Sequence, residues 1–92
     1  MGEVRQTVEI VNAKGLHARA SAKFVNMCAT LPAGLDVRVT KDGNEAAGAS
    51  ILGLMMLGAA KGDSIDIIVS GEEAPSALSR LSGLVMDGFG ED

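Results

Sequence analysis

The chain has 92 residues, a formal net charge of -4 and 47% hydrophobic side chains. That is enough for one small domain, residues 1–92, which buries about 60 to 70% of its unfolded surface and leaves no room for a second. Two aromatic residues, Phe24 and Phe89, and no Trp or Tyr exclude a base-stacking platform, and the acidic balance argues against nucleic acid as a partner. A single cysteine, Cys28, excludes an internal disulfide or multi-cysteine metal site and fits a reducing, cytoplasmic setting.

Residues 1–6 lack an apolar signal core, and Gln6 stands where a myristoylation signal wants Ser or Thr, so neither export nor lipidation is expected. Val4, Val8 and Ile10 alternate with Arg5, Thr7 and Glu9, the period of a strand buried on one face. Gly15 then supplies a turn. From Ala18 to Ala29 the chain is alanine-rich and free of Gly and Pro, with Ala18, Ala22, Val25 and Ala29 at helical spacing, which predicts a helix starting just after His17. Cys28, one turn after Phe24 on the inner face of that helix, reads as a small apolar side chain rather than a reactive thiol.

Leu35, Val37 and Val39 alternate with Asp36, Arg38 and Thr40, a second strand, and Lys41-Asp42-Gly43-Asn44 is a hairpin turn into a short third strand around residues 45–48. A short helix is expected from Ser50. The uncharged stretch 46–60 around it is shorter than the roughly 20 residues that span a bilayer and is broken by three glycines, so no membrane association is expected. After Lys61-Gly62-Asp63, Ile65, Ile67 and Val69 alternate with Ser64, Asp66 and Ile68 in a fourth strand. A third helix near residues 72–86 places Leu78, Leu81 and Val85 inward, with Glu72 and Glu73 favouring its start and Pro75 tolerated in its first turn. Residues 87–92 are expected to fray. The order strand-helix-strand-strand-helix-strand-helix predicts an α+β fold: one four-stranded antiparallel sheet with three helices on a single face.

His17, the only histidine, stands at a helix entrance with Arg19 two residues on. Near neutral pH an imidazole is nucleophilic, a guanidinium matches phosphate oxygens, and the first backbone N–H groups of a helix lack intrahelical partners. The combination points to phosphoryl chemistry. The plainer alternative, a histidine that only caps a helix, is the ordinary expectation for a lone histidine. A zinc role fails because no second histidine or cysteine cluster completes the ligand set.

The run GLHARASAKFV at 15–25, followed by SILGLMMLGAAKGDSI at 50–65, closely resembles the HPr family of the bacterial phosphotransferase system over nearly the whole chain. The resemblance implies an HPr-like open-faced sandwich and a phosphocarrier that works without a cofactor. It implies that His17 is phosphorylated by Enzyme I, itself charged from phosphoenolpyruvate, and passes the group to a histidine of an Enzyme IIA, for sugar uptake or in the nitrogen-related regulatory branch. Transfer between two histidines is nearly balanced, which suits a carrier rather than a stand-alone enzyme. Arg19 would neutralise phosphoryl oxygens while the N–H groups of Ala18 and Arg19 bind them.

Ser50 precedes Ile51, Leu52, Leu54, Met55 and Leu57 as an N-cap serine does, a role worth about 1 kcal/mol. The matching serine in many family members is phosphorylated by an ATP-dependent HPr kinase, which makes Ser50 a candidate regulatory site. One short helix cannot turn Ile51, Leu52 and Met55 all inward, so part of this set is expected to be exposed. The family docks Enzyme I and Enzyme IIA on this helix and the first one, which adds Ala22 to the candidate docking residues; whichever of Met55 and Met56 points inward would be core filler. An alternative function is a regulatory binding module switched by phosphorylation of His17 or Ser50 with no transport role. Residues 53–61 superficially resemble a nucleotide-binding loop, but Ala59 replaces its lysine and an apolar helix fills it, so ATP binding is rejected. Ala20 stands where the family usually has proline, and Lys23 is the only lysine of the first helix, so electrostatic steering toward an acidic Enzyme I is reduced. A monomer is expected.

Overall fold

The computed structural model describes residues 2–91. In chain order the elements are β1 (Glu3–Glu9), α1 (Ala18–Ala29), β2 (Asp36–Lys41), β3 (Asn44–Ala47), α2 (Ile51–Met56), β4 (Ser64–Ser70) and α3 (Ala74–Met86), with a final 3-10 turn at Gly88–Gly90. Alternation forms the strands, and the register shows which faces meet. β4 lies centrally, antiparallel to β1 on one side, with Val8 opposite Ile65, and to β2 on the other, with Val39 opposite Ile67. The sheet order is β1-β4-β2-β3. Asp42 and Gly43, both at positive φ (52° and 83°), close the β2–β3 hairpin; such turns match the right-handed twist of the strands they join.

The three helices cover one face, as the amphipathic pattern requires. Val8, Val39, Ile65, Ile67 and Val69 from the strands meet Ala20 and Phe24 of α1, Leu54 of α2 and Leu78, Leu81 and Val85 of α3 in a single core. Ile68 points to the other face yet is 2% exposed. It lies in register between Arg5 and Arg38, and long side chains with charged tips cover apolar surface on such a face. Arg38 in turn pairs with Glu3, Asp36 and Glu45.

Three expectations need correction. Helix α3 starts at Ala74, so Glu72 and Glu73 precede it; Glu73 is its N-cap residue in a left-handed conformation (φ 64°), with no side-chain capping bond, and Pro75 sits in the first turn. Neither Met55 nor Met56 fills the core. Helix α2 is so short that Leu54 and Leu57 take its inner face, leaving both methionines exposed. Finally, the segment after α3 does not fray: Phe89 is 1% exposed and belongs to the core, packed by a turn that touches α1 and α3. Asp92, the last residue of that expected frayed tail, lies outside the described residues. Cys28 is half-buried, and burial pushes its thiol up to about 11, which keeps it protonated and unreactive at neutral pH.

Candidate functional site

The site begins with a turn that only glycine permits. Gly15 has φ +62°, and an added Cβ would lie 2.2 Å from the Ala59 carbonyl oxygen and 2.9 Å from Ala60 Cα. The same Ala59 oxygen accepts the Leu16 N–H at 3.0 Å, so the loop before α1 is stitched to the segment that follows α2. Gly15→Ala combines a left-handed penalty with a clash against backbone. It is expected to cost about 2–3 kcal/mol and to lower the melting temperature by more than about 10 °C. A variant melting within 2 °C of the parent would contradict this role.

His17 is the N-cap residue of α1, extended in backbone, and its ring does not cap the helix. The first intrahelical bond runs from the Ser21 N–H to the His17 carbonyl at 2.9 Å. The N–H groups of Ala18, Arg19 and Ala20 therefore precede the helical ladder and point to its positive end. Arg19 is exposed and makes no hydrogen bond or ion pair among the described residues. The imidazole is 26% exposed and occupied on one side: Nε2 lies 2.7 Å from Glu91 Oε2.

Glu91 went unnoticed in the sequence because it follows a segment with no periodic signal. Its other carboxylate oxygen accepts from Asn12 Nδ2 at 3.1 Å, and the same Asn12 amide donates to the Gly15 carbonyl at 2.8 Å. Lys23 Nζ donates to the Phe89 carbonyl at 2.7 Å and fixes the approach of the segment to α1. Partial desolvation pushes the Glu91 carboxyl up, but the hydrogen bonds from His17 and Asn12 and the charges of His17 and Lys23 outweigh it and hold it below the usual carboxylate range. With the folded value lowered, this contribution to docking is complete above the ordinary glutamate range and is lost as the pH falls through the lower folded value. The protection of the Phe89 and Gly90 amides, measured as exchange relative to the intrinsic rate at the same pH, should therefore fall as the pH drops below the ordinary glutamate range. Protection that stays constant through that acid range would show that the pair does not hold the segment.

Ser50 caps α2, its Oγ accepting the Gly53 N–H at 2.9 Å. On the same helix Ile51 (41% exposed), Leu52 (67%) and Met55 (39%) all face outward, and Met56, at 77%, is the most exposed of them. Ala22 on α1 is half-buried, and α1 packs against α2. No group of three His, Cys, Asp or Glu residues able to hold a metal occurs among the described residues, and no helix there is long and apolar enough to cross a membrane.

The arrangement is an imidazole at a helix N-terminus, an exposed guanidinium two residues on and an adjoining helix with exposed apolar side chains, and the chain that carries it is similar to known proteins in sequence and fold. The sequence model of the PTS HPr component phosphorylation site matches residues 4–87. The phosphocarrier protein HPr of Neisseria meningitidis is 42% identical over 88 residues, covering 96% of this chain and 97% of that protein. The phosphocarrier protein NPr of Escherichia coli is 37% identical over 89 residues, covering 97% and 98%. Among solved structures, an HPr from Thermoanaerobacter tengcongensis superposes with a TM-score of 0.86 at 35% identity, covering 100% of this chain and 99% of that one. With a family match across the sheet, all three helices and the His17 loop, this chain belongs to the HPr family of phosphotransferase-system phosphocarrier proteins.

Proposed function

We propose that His17 takes a phosphoryl group from phosphorylated Enzyme I and gives it to a histidine of an Enzyme IIA. The observation that carries this reading is a partly exposed imidazole at the head of α1, beside an exposed guanidinium, Arg19, that no carboxylate neutralises among the described residues. An arriving phosphoryl group would find the N–H groups of Ala18 and Arg19 and the Arg19 fork ready to accept its oxygens, without first breaking an internal ion pair. Attack by a ring nitrogen forms one N–P bond as the donor's bond to phosphorus breaks, and reversal returns the group, so the carrier needs no cofactor.

Ile51, Leu52, Met55 and the still more exposed Met56 form an apolar surface on α2 that a partner would cover, with Ala22 on the neighbouring helix. Enzyme I and Enzyme IIA are the partners this reading assigns to it, in the cytoplasm and with the carrier as a monomer. Relatives named HPr and NPr are both similar to this chain, so the reading spans sugar uptake and the nitrogen-related relay. Onward transfer to a sugar-specific Enzyme IIA separates the two.

The second reading, regulation at Ser50, rests on its position as the cap of α2. A dianionic phosphate there suits the positive end of the helix while adding like charge against an acidic partner. One labelling experiment tests both. Enzyme I with phosphoenolpyruvate should leave an acid-labile label on the protein, and an HPr kinase with ATP an acid-stable label that Ser50→Ala lacks. A protein that takes no acid-labile label from a competent Enzyme I is not a phosphocarrier.

A further inference from the structure

A phosphoryl acceptor with two ring nitrogens must present the lone pair of one of them, and the packing around His17 leaves little choice of which. An ionised carboxylate only accepts hydrogen bonds. With Glu91 Oε2 2.7 Å from Nε2, the proton of the neutral ring belongs on Nε2, donated to Glu91, and the lone pair is on Nδ1. Glu91 is itself held. Asn12, 2% exposed, spends one amide hydrogen on the Gly15 carbonyl and the other on Glu91 Oε1, so the carboxylate is tied to the glycine turn that sets the His17 loop. The Asn12 Oδ1 is buried and without a partner among the described residues. An unpaired buried acceptor of that kind is unfavourable, and the two bonds made by the other end of the amide offset it.

We infer that Glu91, oriented by Asn12 and carried to the site by the docked Gly88–Gly90 turn, is a positioning residue that fixes the tautomer and orientation of His17 for phosphoryl transfer through Nδ1. The inference rests on the phosphocarrier reading and deepens it. In the step, the Nδ1 lone pair forms the N–P bond, the phosphorus bond on the donor breaks with its electrons returning to the donor, and no proton moves. The Nε2 proton stays in place, and the positive charge the ring acquires is met by the Glu91 carboxylate. Onward transfer returns the electron pair to Nδ1, and the same carboxylate keeps the ring in its neutral, Nε2-protonated form.

The test uses the whole protein with nitrogen-labelled imidazole. At a pH where the ring is neutral, nitrogen NMR should show the Nε2–H tautomer in the wild type and a mixture in Glu91→Ala, and phosphorylation by Enzyme I should slow about tenfold or more in that variant. Should Glu91→Ala undock the segment, seen as a shifted Phe89 amide, Glu91→Gln keeps the length without the charge and should still slow the reaction. A merely structural contact would leave tautomer and rate alone once the segment is docked. Glu91 variants phosphorylated within twofold of the wild-type rate, or a wild-type ring protonated at Nδ1, would overturn the assignment. A wild type that takes no label at all sinks the phosphocarrier reading and this inference with it, an outcome distinct from variants that label as fast as the parent.

Discussion

The His17→Ala protein is expected to acquire no acid-labile label from Enzyme I and phosphoenolpyruvate while remaining folded. No other side chain offers a substitute. His17 is the only histidine, the Cys28 thiol is half-buried and pushed up to about 11, and the Ser50 hydroxyl is engaged as a helix cap. Loss of the nucleophile therefore removes the covalent step itself instead of slowing it. The fold has little stake in the ring, which is partly exposed and makes one hydrogen bond, to Glu91. A part-exposed pair of this kind adds little to stability, so the variant is expected to melt within about 8 °C of the parent. Acid-labile label persisting in the variant would place the acceptor elsewhere and end the assignment of His17.

Phe89→Ala is expected to be strongly destabilising, by about 3 kcal/mol, and to slow phosphoryl acceptance as well. The ring is 1% exposed within the core, yet its backbone is left-handed at φ 58°, a conformation that costs a non-glycine residue about 1–2 kcal/mol. Burying a phenylalanine contributes about 1.5–3 kcal/mol, so the ring holds the turn closed against this strain. With the ring removed, a cavity opens between α1 and α3 and the strain is left without compensation. Total stability of a domain of this length is about 5–14 kcal/mol, so the variant still folds and its kinetics can be measured. Denaturant unfolding gives the loss in stability, and the same nitrogen spectrum that reports on Glu91 shows whether the carboxylate has left His17. A Phe89→Ala protein as stable as the parent would mean that the segment only rests on the core.

Much of the site was legible from local chemistry. Gly15, His17, Ala18 and Arg19 lie within five residues, so their grouping needs no tertiary contact, and the glycine turn and helix start are read from residue type. Ser50 as the cap of α2 is equally local. Outward exposure of Ile51, Leu52 and Met55 follows from having more apolar residues than a six-residue helix can bury. Glu91 was invisible for the opposite reason. It is 74 residues from His17, and Gly88-Phe89-Gly90 has neither the period of a helix nor that of a strand, so nothing local says that it docks.

The sequence by itself determined the type and order of every strand and helix, since periodicity of two or 3.6 residues reports which side of each element is apolar. By containing a single histidine it also narrowed the candidate imidazole to His17. Only the tertiary structure decided that β4 lies between β1 and β2, that Ile68 is sheltered between Arg5 and Arg38 on the open face, and that Phe89 fills the core. It alone decided which nitrogen of His17 meets a carboxylate. These outcomes depend on cavities and registers made by residues far apart in the chain, whose free energies are set when the helices close over the sheet and not by any local pattern.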